Sequence, residues 1–428
     1  MSTIMGLRRT LVGVVTTTGL VSSTLLGSPS ACADEPPPTQ CARGLNEADL
    51  DRLDAATDML TPRDSLPSLR DAQRLATGRG VTVAVIDTGV NRNGDLPTLA
   101  PGGDLLGDTD GTEDCDLHGT IVATIIAGHG QARGVAPDAR LVSIRQTSAH
   151  ARPDRRNPQS SSTTGTLTGV AEAIDKMVDA HARVINISVA ACTDPQMEPE
   201  GIGQLRGSLD HAERAGVSIV AAAGNTTGPC RDGMNAYPAH EPTVISVGAV
   251  GGDHHQRAEY ALTGGDITAP GGPAMGPQAG SSPIMAATDP EEIRRNPAAH
   301  DHPTPHPFVG TSFSSPLVAG TVALMLEVDP HLSPSHVRQI LAATATPGAG
   351  SHAGMVHPAR AVEMARRHAE SGGVMPAEPP AETASDITVP TTHTANRPAH
   401  RTVLILVALP VTIISAVGIT VMIARRRR

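Results

Sequence analysis

Apolar positions fall along this chain in three regimes. At the N-terminus, Leu11 to Leu26 is an apolar stretch softened by Thr and Ser, with Arg8 and Arg9 ahead of it and Ala31-Cys32-Ala33 behind it. A positive start, an apolar middle and a small-residue site predict an export signal over residues 1–33 that is cleaved from the mature protein. At the other end, Val403 to Ala424 runs for 22 residues without a charge. A helix of that length spans a hydrocarbon core of about 30 Å, and it tolerates an internal Pro410 and Gly418. Arg425 to Arg428 follow directly and predict a cytoplasmic C-terminus, with the bulk of the chain on the other side of a cell membrane.

Between these ends, short β-branched runs alternate with stretches of helical spacing. Val81 to Ile86, Arg140 to Ile144, Val184 to Val189, Val217 to Ala223 and Thr243 to Val250 read as strands. Ile121 to Ala127, Leu167 to Ala182, Leu205 to Ala215 and a stretch ending near Leu326 read as helices. This order predicts an α/β three-layer sandwich, a mainly parallel sheet covered on both faces, over residues 79–370. Residues 34–78 open on Pro36-Pro37-Pro38, carry many acidic side chains and lack a clean period, so they predict an extension packed on the larger body. Two long loops interrupt the alternation, Gln146 to Thr166 and Gly271 to Pro307; loops of that length are functional or mobile. Residues 371–402, rich in Pro, Ala and Thr, read as an extended linker to the membrane helix.

Composition narrows the function. The chain of 428 residues has two Tyr, two Phe and no Trp, and its net charge is −10. Few stacking platforms and a negative balance argue against a nucleic-acid partner. Of the five cysteines, Cys32 leaves with the signal; Cys41, Cys115, Cys192 and Cys230 remain. An even number in an exported chain predicts two disulfides, in one of three pairings. No C-x-x-C spacing points to zinc. His254, His255, His300, His302 and His306 lie in loops without the spacing of a metal-binding helix, so no metal or cofactor is expected.

Four residues carry chemistry in context. Asp87 ends a buried strand and is followed by Thr88-Gly89, at the rim where open parallel sheets build their sites. His118 opens a helix that begins with Gly119-Thr120. Ser312 stands in Gly310-Thr311-Ser312-Phe313-Ser314-Ser315-Pro316, at a helix N-terminus with its unpaired N–H groups and positive dipole end. Asn225 follows Ala221-Ala222-Ala223-Gly224 at another strand end. Asp87, His118 and Ser312 can form a relay in which Ser312 attacks an acyl carbonyl, His118 moves the proton and Asp87 fixes the imidazole. Asn225 and the Ser312 N–H can bind the oxyanion.

At these residues the chain resembles the subtilisin-like serine proteases. Asp87-Thr88-Gly89, His118-Gly119-Thr120, Asn225 and Gly310 to Pro316 match that family's motifs from about Gly80 to Arg367. The resemblance implies a seven-stranded sheet between helices and a serine endopeptidase. Ser188, Val189 and Ala190, with Gly224, are similar to its substrate-binding residues, although Ala190 stands where Gly is common. The signal, the Pro-rich start with an early Cys, the two long loops, the Pro-rich stalk, the C-terminal helix and Arg tail, and Cys115 just ahead of His118 resemble one group of the family, the mycosins. That resemblance implies disulfides Cys41–Cys115 and Cys192–Cys230, protein or peptide substrates, and a membrane complex of type VII secretion as partner. A structural subunit of such a complex, with catalysis secondary, is the alternative expectation.

Overall fold

The computed structural model describes residues 41–52, 61–107, 109–149, 165–226, 230–251, 256–279, 282–289, 292, 295–300, 302–348 and 353–375. The expected signal, membrane helix and most of the linker lie outside the described residues.

Seven strands form the central sheet: β1 (Thr82–Asp87), β2 (Leu99–Asp104), β3 (Arg140–Arg145), β4 (Val184–Ile187), β5 (Ser218–Ala222), β6 (Ile245–Val250) and β7 (Ile267–Pro270). Their order is β7-β6-β5-β4-β1-β3-β2, and every neighbouring pair is parallel. The sheet is thus wholly parallel, where a mainly parallel one was expected. Edge strand β2 carries a register shift between Pro101 and Gly103, residues that hide it in the sequence because they disfavour a strand.

Alternation along β1 divides the core. Val83 and Val85 face one layer, shared with helices α1 (His118–Ala127), α4 (Thr311–Val328), α5 (Pro334–Thr344) and α6 (Pro358–Glu370). Ala84 and Ile86 face the other, shared with α2 (Leu167–Asp179) and α3 (Ile202–Arg214). A strand covered on both faces has no polar side to show, which is why Val81 to Ile86 reads as a nearly continuous apolar run. Helix α4 is long and apolar enough to cross a membrane, but 89% of it is buried inside this fold. Its all-round hydrophobicity reflects a position in the core, not in a lipid bilayer.

The extension is tied down at both described ends. Cys41 is disulfide-bonded to Cys115, and the Ala42 N–H donates to the Cys115 carbonyl at 2.9 Å. Gly44–Leu45 pairs antiparallel with Ala286–Ala287, which pairs with His306–Pro307. The loop from 271 to 307 therefore builds short strands, and a strand from the extension completes their sheet. At the far end, the Glu327 carboxylate accepts the N–H groups of Thr77, Gly78 and Arg79 at 2.6, 2.6 and 3.0 Å. The second disulfide, Cys192–Cys230, braces the hairpin-like pairing of Ala191–Thr193 with Asn235–Tyr237.

Candidate active site

Asp87 closes β1, whose two neighbours β3 and β4 lead the chain to opposite halves of the sheet. A crevice opens at such a point. The Asp87 side chain is fully buried. Its Oδ1 accepts the Thr88 N–H at 2.8 Å and holds His118 Nδ1 at 2.6 Å. His118 is the first residue of α1. The helix can start this close to the strand only because residue 119 is Gly. A Cβ there would lie 2.1 Å from the Gly89 carbonyl oxygen and 3.0 Å from the Asp87 Cβ. A bond from Nδ1 to a carboxylate fixes that nitrogen as the N–H and leaves Nε2 as the acceptor. Burial opposes the charged form of His118, but the charge and hydrogen bond of Asp87 outweigh it, helped by Asp114 and Asp116. The net result is a pKa raised above the usual imidazole value.

Ser312 is the second residue of α4 and nearly buried. Its hydroxyl donates to the Ser188 carbonyl at 2.9 Å. Among the described residues no hydrogen bond joins Ser312 to His118, so the row of three inferred from the sequence has its Asp–His link formed and its His–Ser link open. The His118 ring lies against Phe313, the residue after Ser312, with ring centroids 5.2 Å apart. Below Ser312, the helix carries Pro316, which has no N–H to give the carbonyl four residues back. The Ser188 hydroxyl fills that gap, donating to the Ser312 carbonyl at 2.9 Å. Having spent its proton there, Ser188 Oγ accepts from Asn186 Nδ2 and from the Ser315 hydroxyl, both at 2.9 Å.

Asn225 faces the same helix end. Its Oδ1 accepts the Thr311 N–H at 3.0 Å and the Thr311 hydroxyl at 3.1 Å. Two donors on one oxygen settle which end of the amide is which and leave Nδ2 free to donate elsewhere. The Ser312 N–H, in the first turn of α4, has no acceptor within the helix. Gly224 spends both its backbone groups inside the protein, donating to Thr311 Oγ1 at 3.2 Å and accepting from the Leu262 N–H at 3.0 Å. It supports Asn225 from within.

Comparison with known proteins bears on this geometry. Residues 78–364 match the model of the subtilase family. Mycosin-1 of Mycolicibacterium smegmatis is 33% identical over 332 residues, which span 69% of this chain and 70% of that one. The structure of the MycP3 protease from the type VII (ESX-3) secretion system superposes with a TM-score of 0.64 at 30% identity, covering 76% of this chain and 92% of that one. A chain in a structure of an intact ESX-5 inner membrane complex gives a TM-score of 0.63 at 26% identity, covering 90% of this chain and 93% of its own. The chain is a subtilase of the mycosin group. It is a serine protease.

This subtilase has a cavity of about 300 Å³ whose lining includes Val189, Ala190, Leu167, Val170, Gln146 and Tyr237. Val189 and Ala190, expected to meet substrate, are therefore at an open surface, while Ser188 is buried and works on the helix. His254 and His255 fall outside the described residues. Among the described residues no three His, Cys, Asp or Glu side chains converge as a metal site. The sequence showed Thr311 and Pro316 only as parts of a motif, without their roles, and did not show the second role of Ser188. Of these, Pro316 carried a signal: a proline inside a helical run needs an outside donor for the carbonyl it strands. Nor did the sequence show that Thr88 meets Asp114 behind the Asp87–His118 pair.

Proposed function

We propose that this chain is a membrane-anchored serine endopeptidase whose relay is Asp87, His118 and Ser312, acting on exported proteins at the outer side of a cell membrane. The observation that carries the reading is the 2.6 Å contact of His118 Nδ1 with Asp87 Oδ1, with the ring laid against the residue that follows Ser312. Attack begins when the Ser312 hydroxyl leaves the Ser188 carbonyl and gives its proton to His118 Nε2, as Ser312 Oγ bonds to the substrate carbonyl carbon. Asp87 stabilises the imidazolium that results, and the amide N–H₂ of Asn225 with the Ser312 N–H receives the oxyanion. His118 then passes the proton to the leaving amine. A water molecule repeats the sequence on the acyl-enzyme and restores Ser312. The apolar span 403–424 and the Arg tail support the anchoring.

The test is labelling with an alkyl fluorophosphonate. The chain is labelled and Ser312→Ala is not; equal labelling of the two removes the assignment of the nucleophile.

A second reading, structural service in a type VII secretion complex, is favoured by the likeness to a chain of the ESX-5 inner membrane complex over 90% of this chain. Secretion by a strain carrying Ser312→Ala, compared with one lacking the protein, separates the two. Loss only in the deletion strain supports the structural role, and equal loss in both leaves the peptidase alone.

A further inference from the structure

Directly behind the relay lies a carboxylate that the reaction scheme does not use. Asp114 is buried. Its Oδ1 accepts the Thr88 hydroxyl at 2.8 Å and the Asp116 N–H at 3.1 Å. Its Oδ2 accepts the N–H and the hydroxyl of Thr120 at 2.8 and 2.6 Å. The Thr88 oxygen meanwhile accepts the N–H of Gly119 at 2.9 Å. Its one proton has a second acceptor in reach, Asp87 Oδ1 at 3.2 Å, the same oxygen that holds His118. A single hydroxyl proton thus stands between two carboxylates, and it can serve only one of them at a time.

We propose that Asp114 is a positioning residue of the relay, acting through Thr88: as a carboxylate it draws the Thr88 hydroxyl proton away from Asp87 Oδ1 and leaves that oxygen to His118 and the Thr88 N–H. The inference rests on the relay proposed above. Uptake of one proton from solvent on Asp114 Oδ1 reverses the arrangement. The new O–H donates to Thr88 Oγ1, and the Thr88 hydroxyl rotates, without breaking its own bond, to donate to Asp87 Oδ1. Asp87 then holds the imidazole less strongly, and a negative charge behind the pair has gone.

Burial supports the idea by pushing the Asp114 carboxyl up to about 7, against the hydrogen bonds of Thr120 and Thr88 that favour its charged form, with the Asp87 charge adding to the rise. The charged groups around it are Asp87 at the end of β1 and His118 on α1, and in its own segment Asp116 and the exposed Glu113. Asp116 is held aside by Ser148 Oγ and the Ala149 N–H, at 2.5 and 2.8 Å. Among the described residues no arginine or lysine pairs with Asp114.

The rate of Ser312 labelling by an alkyl fluorophosphonate, followed on the full-length chain over about pH 5 to 9, reads the basicity of His118. Asp114→Asn keeps the shape and removes the charge. The acid limb of its profile is expected to move to lower pH by about one unit. Thr88→Val removes the shared proton and with it the route from Asp114 to Asp87, so Asp114→Asn is expected to move the limb less in a Thr88→Val background than in the unsubstituted chain. Thr88→Ser keeps the hydroxyl and the original limb. In a Ser312→Ala background, NMR titration of the His118 ring repeats the shift without any labelling. A limb and a ring titration unmoved by Asp114→Asn, or an Asp114→Asn shift as large in the Thr88→Val background as in the Thr88→Ser one, would overturn the proposal. Should Asp114→Asn not fold, Asp114→Ser, which also removes the charge, is put through the same comparison. Should the unsubstituted chain not be labelled at all, it is the relay that fails, and the ring titration still judges Asp114.

Discussion

The hydroxyl of Ser188 donates to the carbonyl of Ser312 at 2.9 Å, in place of the helical bond that Pro316 cannot make. The segment that follows β4 and helix α4 are thereby joined through the backbone of Ser312. Ser188→Ala strands a buried carbonyl and is expected to cost about 1–3 kcal/mol. Pro316→Ala returns a donor to the helix and is expected to cost within about 1 kcal/mol, through the looser unfolded chain. The pair together are expected to recover about 1 kcal/mol or more of the Ser188→Ala loss. Denaturant unfolding of the four chains measures the coupling, and strict additivity would remove the compensation argued here.

Substitutions at the site should fall into a hierarchy. Ser312→Ala or His118→Ala removes covalent catalysis and is expected to lower kcat by about 10⁶-fold, judged by the residual rates of other triads. Asp87→Asn is expected to cost about 10⁴-fold, because the amide no longer fixes the tautomer. Asn225→Ala is expected to cost about 10²–10³-fold. Thr311→Val leaves Asn225 Oδ1 with one donor fewer and should lower kcat by less than Asn225→Ala, with KM little changed. Steady-state kinetics on a peptide substrate orders the series.

Activity should rise with pH through a midpoint above the ordinary imidazole value of 6.5, because the His118 pKa is raised and only the neutral ring accepts the Ser312 proton. The stability of the fold moves the other way. The Asp87–His118 pair contributes in full below 6.5, and that contribution is lost as pH rises through the raised folded-state value. A profile of kcat/KM against pH, with thermal unfolding at matched pH, checks both signs.

Removing the Cys41–Cys115 bond, which closes a sequence separation of 74, is expected to cost about 4 kcal/mol in the chain-entropy account. The double substitution Cys41→Ala with Cys115→Ala should also speed hydrogen exchange at Gly44–Leu45, whose pairing with Ala286–Ala287 loses its anchor. Mass-resolved exchange of the two forms measures this.

The positions of the residues proposed for the relay were legible because each sits at the end of an element whose own pattern is strong. Val81 to Ile86 leads to Asp87, and the apolar run before Leu326 leads back to Ser312. Less was legible where the sequence argues against itself. Leu99–Asp104 holds Pro101, Gly102 and Gly103 and is nonetheless the edge strand, since an edge needs only half its backbone groups paired. Pro316 sits inside α4 because Ser188, 124 positions before Ser312, supplies the missing donor to the Ser312 carbonyl. Thr88 and Asp114 meet across 26 positions, a contact that exists only once β1 and α1 are packed. Local pattern cannot announce such partners, since their meaning comes from a neighbour brought in by topology.

The bridge from Cys41 to Cys115 also bears on how the chain could mature. A single proteolytic nick anywhere between those two positions would leave the fragments covalently linked. The leading peptide could not be shed as a zymogen's is, and it would leave only if the bridge were first reduced.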